Sequence, residues 1–315
     1  MSSSPSPATA APKPRRSRLL WSEYRDGYLC IAPWLVGFVV FVAGPMIFSL
    51  WLIFTRWDLL TPAHFIGLGN FTTLFQDPLF YLTLYNTTFV TVISVPLYML
   101  FALLLALLAD LPTRWRAIYR VAFFIPSQTP TVATALLWSW IYNPQYGIAN
   151  SLLTLLHLPT LNWLFDPNLA KPSLIIIGFW GVGATMVVFL AGLQNIPREI
   201  YDAASVDGAN LWHRFISITL PLLSPVILFN LIIGIIGAFQ SGFSIVYVWP
   251  TNGQGPDNSI LLYILYLYNN AFQYFKMGYA ALLAWMLFVI VLAVTGLNFL
   301  VSKSWVYYET SGRAR

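Results

Sequence analysis

Six stretches of this chain are long and apolar enough to cross a lipid bilayer, and that property excludes almost every other architecture. A membrane-spanning helix needs about 20 consecutive, mostly apolar residues. The stretches Leu29–Phe54, Thr83–Ala109, Ile118–Tyr142, Ser173–Leu193, Leu222–Val248 and Gly278–Val301 each meet that length. In hydrocarbon every backbone polar group must be satisfied internally, so each stretch is expected to be an α-helix. Composition agrees: 58% of the 315 residues are hydrophobic and 9% charged, where a soluble domain carries about 25% charged residues. The expected fold is an all-α integral membrane protein with six transmembrane helices. The six-span domain covers 28–303, after a basic, disordered cytosolic tail at 1–27 and before a short cytosolic tail at 304–315.

The placement of charge sets the orientation. Thirteen of the sixteen Lys and Arg residues fall on one side: Lys13, Arg15, Arg16, Arg18, Arg25, Arg114, Arg116, Arg120, Arg198, Arg214, Lys303, Arg313 and Arg315. Arg56, Lys171 and Lys276 fall on the other. Positive residues stay in the cytosol, so both termini are expected there. The net charge of +5 is then a topology signal and needs no nucleic acid. Arg15-Arg16 does not read as a twin-arginine export signal, because the polar segment at 21–26 precedes the apolar run. Cys30 does not read as a lipoprotein site, because its apolar run follows it. Trp and Tyr residues at 21, 24, 28, 138, 140, 142, 305, 307 and 308 stand where the interfaces should be, as in the aromatic belts that anchor spans.

No carboxylate, imidazole or amine occupies the middle of a span. Intramembrane charges mark proton relays and ion pathways, so their absence argues for an energy source outside the membrane core. Sodium coupling through neutral groups stays open as an alternative, that of an ion-coupled secondary transporter of a neutral solute. With a single cysteine, Cys30, there is no disulfide framework and no multi-cysteine metal site. His64, His157 and His213 show no paired ligand spacing. The spans do carry uncharged amides and hydroxyls, including Gln128 between Pro126 and Pro130, Asn86 and Thr87 before Pro96, and Asn230, Gln240 and Ser241 among three glycines. Such groups serve helix packing or a neutral polyhydroxylated solute. Gln128, Asn230, Gln240 and Ser241 are the candidate pathway residues.

Between spans four and five, the segment 194–221 has a pattern of its own. Pro197, Glu199 and Asp202 suit a helix start, Gly208 permits a sharp turn, and Asn210 caps a second helix. Leu211, Phe215 and Ile218 then share a stripe, and Leu220-Pro221 is expected to end the helix. This describes a helix-turn-helix knob that either docks in a partner's groove or lies flat on the headgroups.

Asp202-Ala203-Ala204, Gly208-Ala209, Ile218 and Leu220-Pro221 resemble, at every spacing, the EAA loop of binding-protein-dependent ABC importers. The departure is Asp202, where that pattern has Glu. The resemblance extends from about Tyr28 to Tyr308 and includes Ile31-Ala32-Pro33-Trp34, the stretch Phe65–Phe71, Asp77-Pro78, the stretch Phe189–Gln194 and the stretch Met277–Ala280. It is similar to carbohydrate-importer permeases of the maltose and glycerol-3-phosphate type. The resemblance implies a permease subunit of the inner membrane of a bacterial or archaeal cell, half of a permease heterodimer. It further implies a cytosolic ABC ATPase dimer, an extracytoplasmic solute-binding protein, and a sugar or sugar-like substrate moved by alternating access. ATP and magnesium would be bound by the ATPase, since this chain has no Gly-rich phosphate loop and is not itself expected to be an enzyme or to hold a cofactor. The implied ATPase-coupling residues are Glu199, Asp202, Ala203, Ala204, Asp207, Gly208, Ala209, Phe215, Ile218, Leu220 and Pro221.

Overall fold

A computed structural model describes residues 16–240, 242–249 and 251–307, and the chain is helical almost throughout. Helix α1 (Arg16–Phe38) passes through a π turn (Val39–Ala43) into α2 (Gly44–Leu52), which leads to a two-residue hairpin, β1 (Thr55–Arg56) and β2 (His64–Phe65). Helices α3 (Gly69–Gln76) and α4 (Pro78–Asp110) follow. The Asp77 carboxylate accepts from Leu79 N at 2.9 Å and Pro78 takes the first helical position, which starts α4 cleanly. The same Asp-Pro device starts α8 (Pro167–Gly178) at Asp166. Between them lie α5 (Arg116–Phe124), α6 (Thr131–Ile141) and α7 (Ile148–Leu155). The rest is α9 (Gly183–Gln194), α10 (Arg198–Val206), α11 (Leu211–Arg214), α12 (Leu220–Gln240), α13 (Phe243–Val248), α14 (Tyr263–Tyr268) and α15 (Met277–Ser302).

Two ends of the bundle can be told apart by contacts. At the hairpin end, Met277 N donates to the Trp57 carbonyl and Asn70 Nδ2 donates to the carbonyls of Ile53 and Thr55. At the other end, Gln194 Nε2 reaches Asp110 Oδ1 at 3.4 Å, and Arg120 Nε donates to the Ala109 carbonyl. Each end has its own core. The hairpin-end core centres on Phe80, Tyr263, Leu265 and Leu283, and the other on Ala102, Ala106, Met186, Phe189 and Leu223. Ala102, Ala106 and Ala109 are completely buried on one face of α4. In lipid there is little hydrophobic gain from helix association, so close approach over small residues supplies van der Waals contact instead.

Four helical runs among the described residues are long and apolar enough to cross a bilayer: Glu23–Leu52, Pro78–Asp110, Leu211–Val248 and Met277–Ser302. Pro167–Gly181 and Gly183–Gln194 make a fifth if counted as one span, bent by 51°. The expected third span, Ile118–Tyr142, is instead two short helices, α5 and α6, split by a 3-10 turn at Ile125–Gln128 and an extended Thr129. Pro126 and Pro130 each remove a donor from the ladder there, and two such losses four residues apart stop the helix. Helix α1 begins at Arg16, well inside the segment expected to be a disordered tail. Extending an existing helix costs far less than nucleating one. Residues 1–15 and 308–315 lie outside the described residues.

Candidate functional site

The segment between α9 and α12 forms the expected helix–turn–helix, with its chemistry laid out by the backbone. Helix α10 ends in a paired set of 6→1 and 5→2 bonds: Ala209 N donates to the Ala204 carbonyl at 2.9 Å and Gly208 N to the Ser205 carbonyl at 3.1 Å. This C-terminal cap requires a left-handed residue at its turn, and Gly208 has φ +77°. Open space surrounds the position where a Gly208 side chain would begin. Asn210 Oδ1 then accepts from His213 N at 2.7 Å and caps α11, while Arg214 Nε closes the turn by donating to the Ala209 carbonyl at 2.8 Å.

The knob is tied to the body on one side and bare on the other. Tyr201 Oη and Thr219 Oγ1 are hydrogen-bonded at 2.9 Å, and both Tyr201 and Phe215 pack on the core around Met186 and Leu223. Val206, Leu211 and Trp212 are 89%, 83% and 69% exposed at the tip. Thus the stripe expected from Leu211, Phe215 and Ile218 divides: Leu211 faces out, whereas Phe215 and Ile218 are half-buried. Glu199, Asp202 and Asp207 are exposed and make no ion pair among the described residues. Ala203 is exposed, and Ala204 and Ala209 are half-buried.

Leu220-Pro221 does not end the helix. From α11 the chain runs through a π turn (Phe215–Thr219) directly into α12, with Leu220 N donating to the Phe215 carbonyl. A proline ring crowds the carbonyl four residues back, and the wider π turn just before Pro221 gives the chain room to continue. The second helix of the knob and α12 are therefore one continuous helical run.

A second feature lies in the middle of the bundle, where three helices break. The 3-10 turn at Ile125–Gln128, a second 3-10 turn at Phe179–Gly181 between α8 and α9, and Gly242 (φ +94°) ahead of α13 come together around two neighbouring cavities. The larger holds about 400 Å³ and is lined by Ser94, Tyr98, Thr185 and Asn230 among glycines and aliphatic side chains. The smaller, about 160 Å³, shares Gly178, Gly181 and Ile245 with it and adds Ser127, Thr129, Thr134 and Trp180. The buried Trp180 indole N–H has no acceptor among the described residues. No side chain lining either cavity is charged. Gly183 lets α9 approach the break, since a Cβ there would overlap the Phe123 carbonyl oxygen. Irregular backbone at membrane depth is tolerated where it borders protein or a cavity, and broken helices at mid-membrane are characteristic of solute sites.

The family described as binding-protein-dependent transport system inner membrane component matches residues 66–307, which include the knob and both cavities. This chain belongs to that family. It is therefore a multi-pass inner-membrane component of a transport system, not a catalytic subunit. The chain is 40% identical over 299 residues to the Probable ABC transporter permease protein YesP of Bacillus subtilis (strain 168), covering 94% of this chain and 96% of that one. It is 37% identical over 291 residues to the lactose transport system permease protein LacF of Rhizobium radiobacter, covering 90% and 96%. Its fold is similar, at TM-score 0.77 and 24% identity, to a bacterial ABC transporter involved in the import of the acidic polysaccharide alginate, over 91% of this chain and 99% of that one.

Within this permease, one of the four pathway candidates lines a cavity. Asn230 is buried and lines the larger cavity, and its amide donates to the Val226 carbonyl at 3.0 Å. Gln128 stands in the helix break but is exposed and reaches only Ser127 Oγ, at 3.3 Å. Gln240 is exposed and lines neither cavity, and Ser241 falls outside the described residues. Asn86 and Thr87 are occupied elsewhere: Asn86 Nδ2 donates to the carbonyls of Asn258 and Leu261, and Thr87 Oγ1 accepts from Tyr263 N. Sequence reading missed the Phe179–Gly181 break and the cavity groups Tyr98, Trp180 and Thr185. The signal was present in Gly178, Gly181 and Gly183, three glycines in six residues.

Proposed function

We propose that this chain is one membrane-spanning half of an ATP-driven importer of a neutral sugar or sugar-like solute, working by alternating access. Counting the broken α5–α6 pair as a crossing gives six spans with both termini in the cytosol, the arrangement the positive charges favour. The knob at 194–221 then faces the cytosol and seats on a separate ABC ATPase dimer, which binds ATP and magnesium. A second permease subunit completes the pathway, and an extracytoplasmic binding protein delivers the solute. A sugar is supported by the lactose permease among the relatives and by a cavity with hydroxyls, an amide and an indole N–H but no charge.

The observation that carries this reading is the knob: a glycine-capped turn with an apolar, unpaired tip and an uninterrupted helical link from π turn to α12. Glu199, Asp202, Ala203, Ala204, Asp207, Gly208 and Ala209 form its docking face and turn. Phe215, Ile218, Leu220 and Pro221 transmit its displacement to α12, and the Tyr201–Thr219 bond keeps the two helices moving together. At the start of the knob segment, Gln194 is tied to α4 by its hydrogen bond to Asp110 at 3.4 Å. Asn230, with Tyr98 and Trp180, contacts the solute in passage. The test is uptake by proteoliposomes holding both permeases and the ATPase, with binding protein and labelled sugar outside. Uptake should require ATP on the ATPase side and be indifferent to sodium or proton gradients. Gradient-driven uptake without ATP would overturn the reading.

A further inference from the structure

The hairpin end carries a second concave site, remote from the knob and outside the two central cavities. It is a cleft of about 420 Å³ whose walls include Arg56, Trp57, Asp58, Thr61, His64 and Lys276. Among the described residues, three Lys or Arg residues lie at this end, and two of them share this cleft. The third, Lys171, is already engaged, its Nζ 4.9 Å from the Tyr85 ring centre and 5.2 Å from that of Phe89. Arg56 and Lys276 are exposed and have neither an ion-pair partner nor a side-chain hydrogen bond among the described residues. Their positions are fixed by backbone. Arg56 pairs across the hairpin with His64, which sets the two side chains on one face. Met277 N bonds to the Trp57 carbonyl at 3.0 Å and so holds Lys276 against the hairpin.

One carboxylate shares the cleft, and its partners are local. Asp58 Oδ1 accepts from Thr61 N at 2.8 Å, Thr61 Oγ1 at 2.7 Å and Leu60 N at 3.1 Å. The Thr61 bonds hold its carboxyl below the usual range, so it stays ionised and offsets one of the two cations. The cleft retains a net positive charge, two uncommitted cationic donor groups and an aromatic wall.

We propose that this cleft is an oxyanion site, taking a phosphate, sulfate or carboxylate group carried by a small molecule or by a lipid headgroup. Arg56 supplies a planar fork and Lys276 a point charge, the two modes by which proteins grip such groups. The 420 Å³ concavity suits a single anionic group and its attachment rather than the flat face of a protein. The proposal does not depend on the transport reading, because its test involves neither ATPase nor uptake.

The full-length protein in neutral detergent is titrated with sulfate at ionic strength fixed by chloride, reading the unfolding temperature. A saturable rise is expected, with half-saturation raised about tenfold for each cation removed in R56Q and K276Q. The charge-conserving R56K/K276R variant should bind within a few-fold of wild type, and D58N should bind more tightly. Native mass spectrometry then counts retained phosphatidylglycerol. Retention that sulfate displaces in wild type but not in R56Q/K276Q assigns the site to a lipid headgroup; sulfate binding with equal retention assigns it to a soluble oxyanion. The proposal is overturned if wild type shows no saturable sulfate effect, or if D58N and R56Q/K276Q match wild type in both readouts. It is likewise overturned if the only property R56Q/K276Q loses is association with an acidic protein partner.

Discussion

Replacing Asp77 with alanine should destabilise the hairpin end more than removing both tyrosines that bind it. Asp77 caps α4 through Leu79 N with one oxygen, while the other accepts from the hydroxyls of Tyr266 and Tyr279, the latter at 2.6 Å. One carboxylate thus joins α4, α14 and α15. Losing the cap costs about 1 kcal/mol. Each tyrosine hydroxyl left without an acceptor costs about 1–3 kcal/mol, and Tyr266 and Tyr279 are only 6% and 5% exposed, so water cannot readily replace the carboxylate. The expected loss for D77A is about 3–7 kcal/mol, with neighbouring contributions not strictly additive. In Y266F/Y279F the position is reversed. Asp77 is half-exposed and keeps its bond to Leu79 N, so water takes the vacated places and the loss should be about 1–2 kcal/mol. The assay is unfolding of detergent-solubilised protein for wild type, D77A, Y266F/Y279F and the triple variant. Equal losses in D77A and Y266F/Y279F, or no loss in D77A, would show that Asp77 does not join the three helices as described.

Two further outcomes follow from the same physics. Burial, and then the bond to Asp77, push the Tyr266 hydroxyl up to about 12 from its ordinary value near 10. Above pH 10 the unfolded state releases this proton and the folded state keeps it, so Tyr266 lowers stability as pH rises from about 10 through 12; Y266F should flatten that part of the pH–stability profile relative to wild type. In the central cavity, N230A should change the half-saturating solute concentration for uptake by several-fold while ATPase association stays normal, and Q240A, whose side chain lines neither cavity, should leave both unchanged. Uptake titrations in proteoliposomes and co-purification of the ATPase with each variant check the pair.

The long spans were legible because unbroken apolar runs leave the backbone no alternative to helix, as in Pro78–Asp110 and Met277–Ser302. The turn at Gly208 was legible because glycine next to a good N-cap residue, Asn210, has a specific local meaning. What sequence did not disclose depended on contacts made far along the chain. Nothing in the neighbourhood of Asn86 or Thr87 says that their side chains will hold residues 258–263, more than 170 positions away. Pro221 looked like a stop because a proline usually is one, and the π turn that lets the helix continue has no local signature. The fourth expected span, Ser173–Leu193, is bent by 51°, and the missing side chain at Gly183, which lets α9 close on Phe123, takes its meaning only from that distant contact. Of the four pathway amides and hydroxyls, Asn230 reaches a cavity because its helix face does, a fact fixed by packing rather than by polarity.

The proposed docking of the knob on an ABC ATPase is tested most directly at Gly208, the left-handed residue of its turn. An L-residue in the left-handed region costs about 1–2 kcal/mol, and no neighbouring atom obstructs a side chain there, so G208D should still insert and fold. What it alters is the turn between the α10 end and the Asn210 cap and the charge at the apolar tip. The measurement is co-purification of the ATPase with wild-type and G208D permease from membranes, alongside sugar uptake. Membrane insertion equal to wild type, with both ATPase association and uptake abolished, is the predicted result. Normal association and uptake by inserted G208D would show that the knob is not where the ATPase docks.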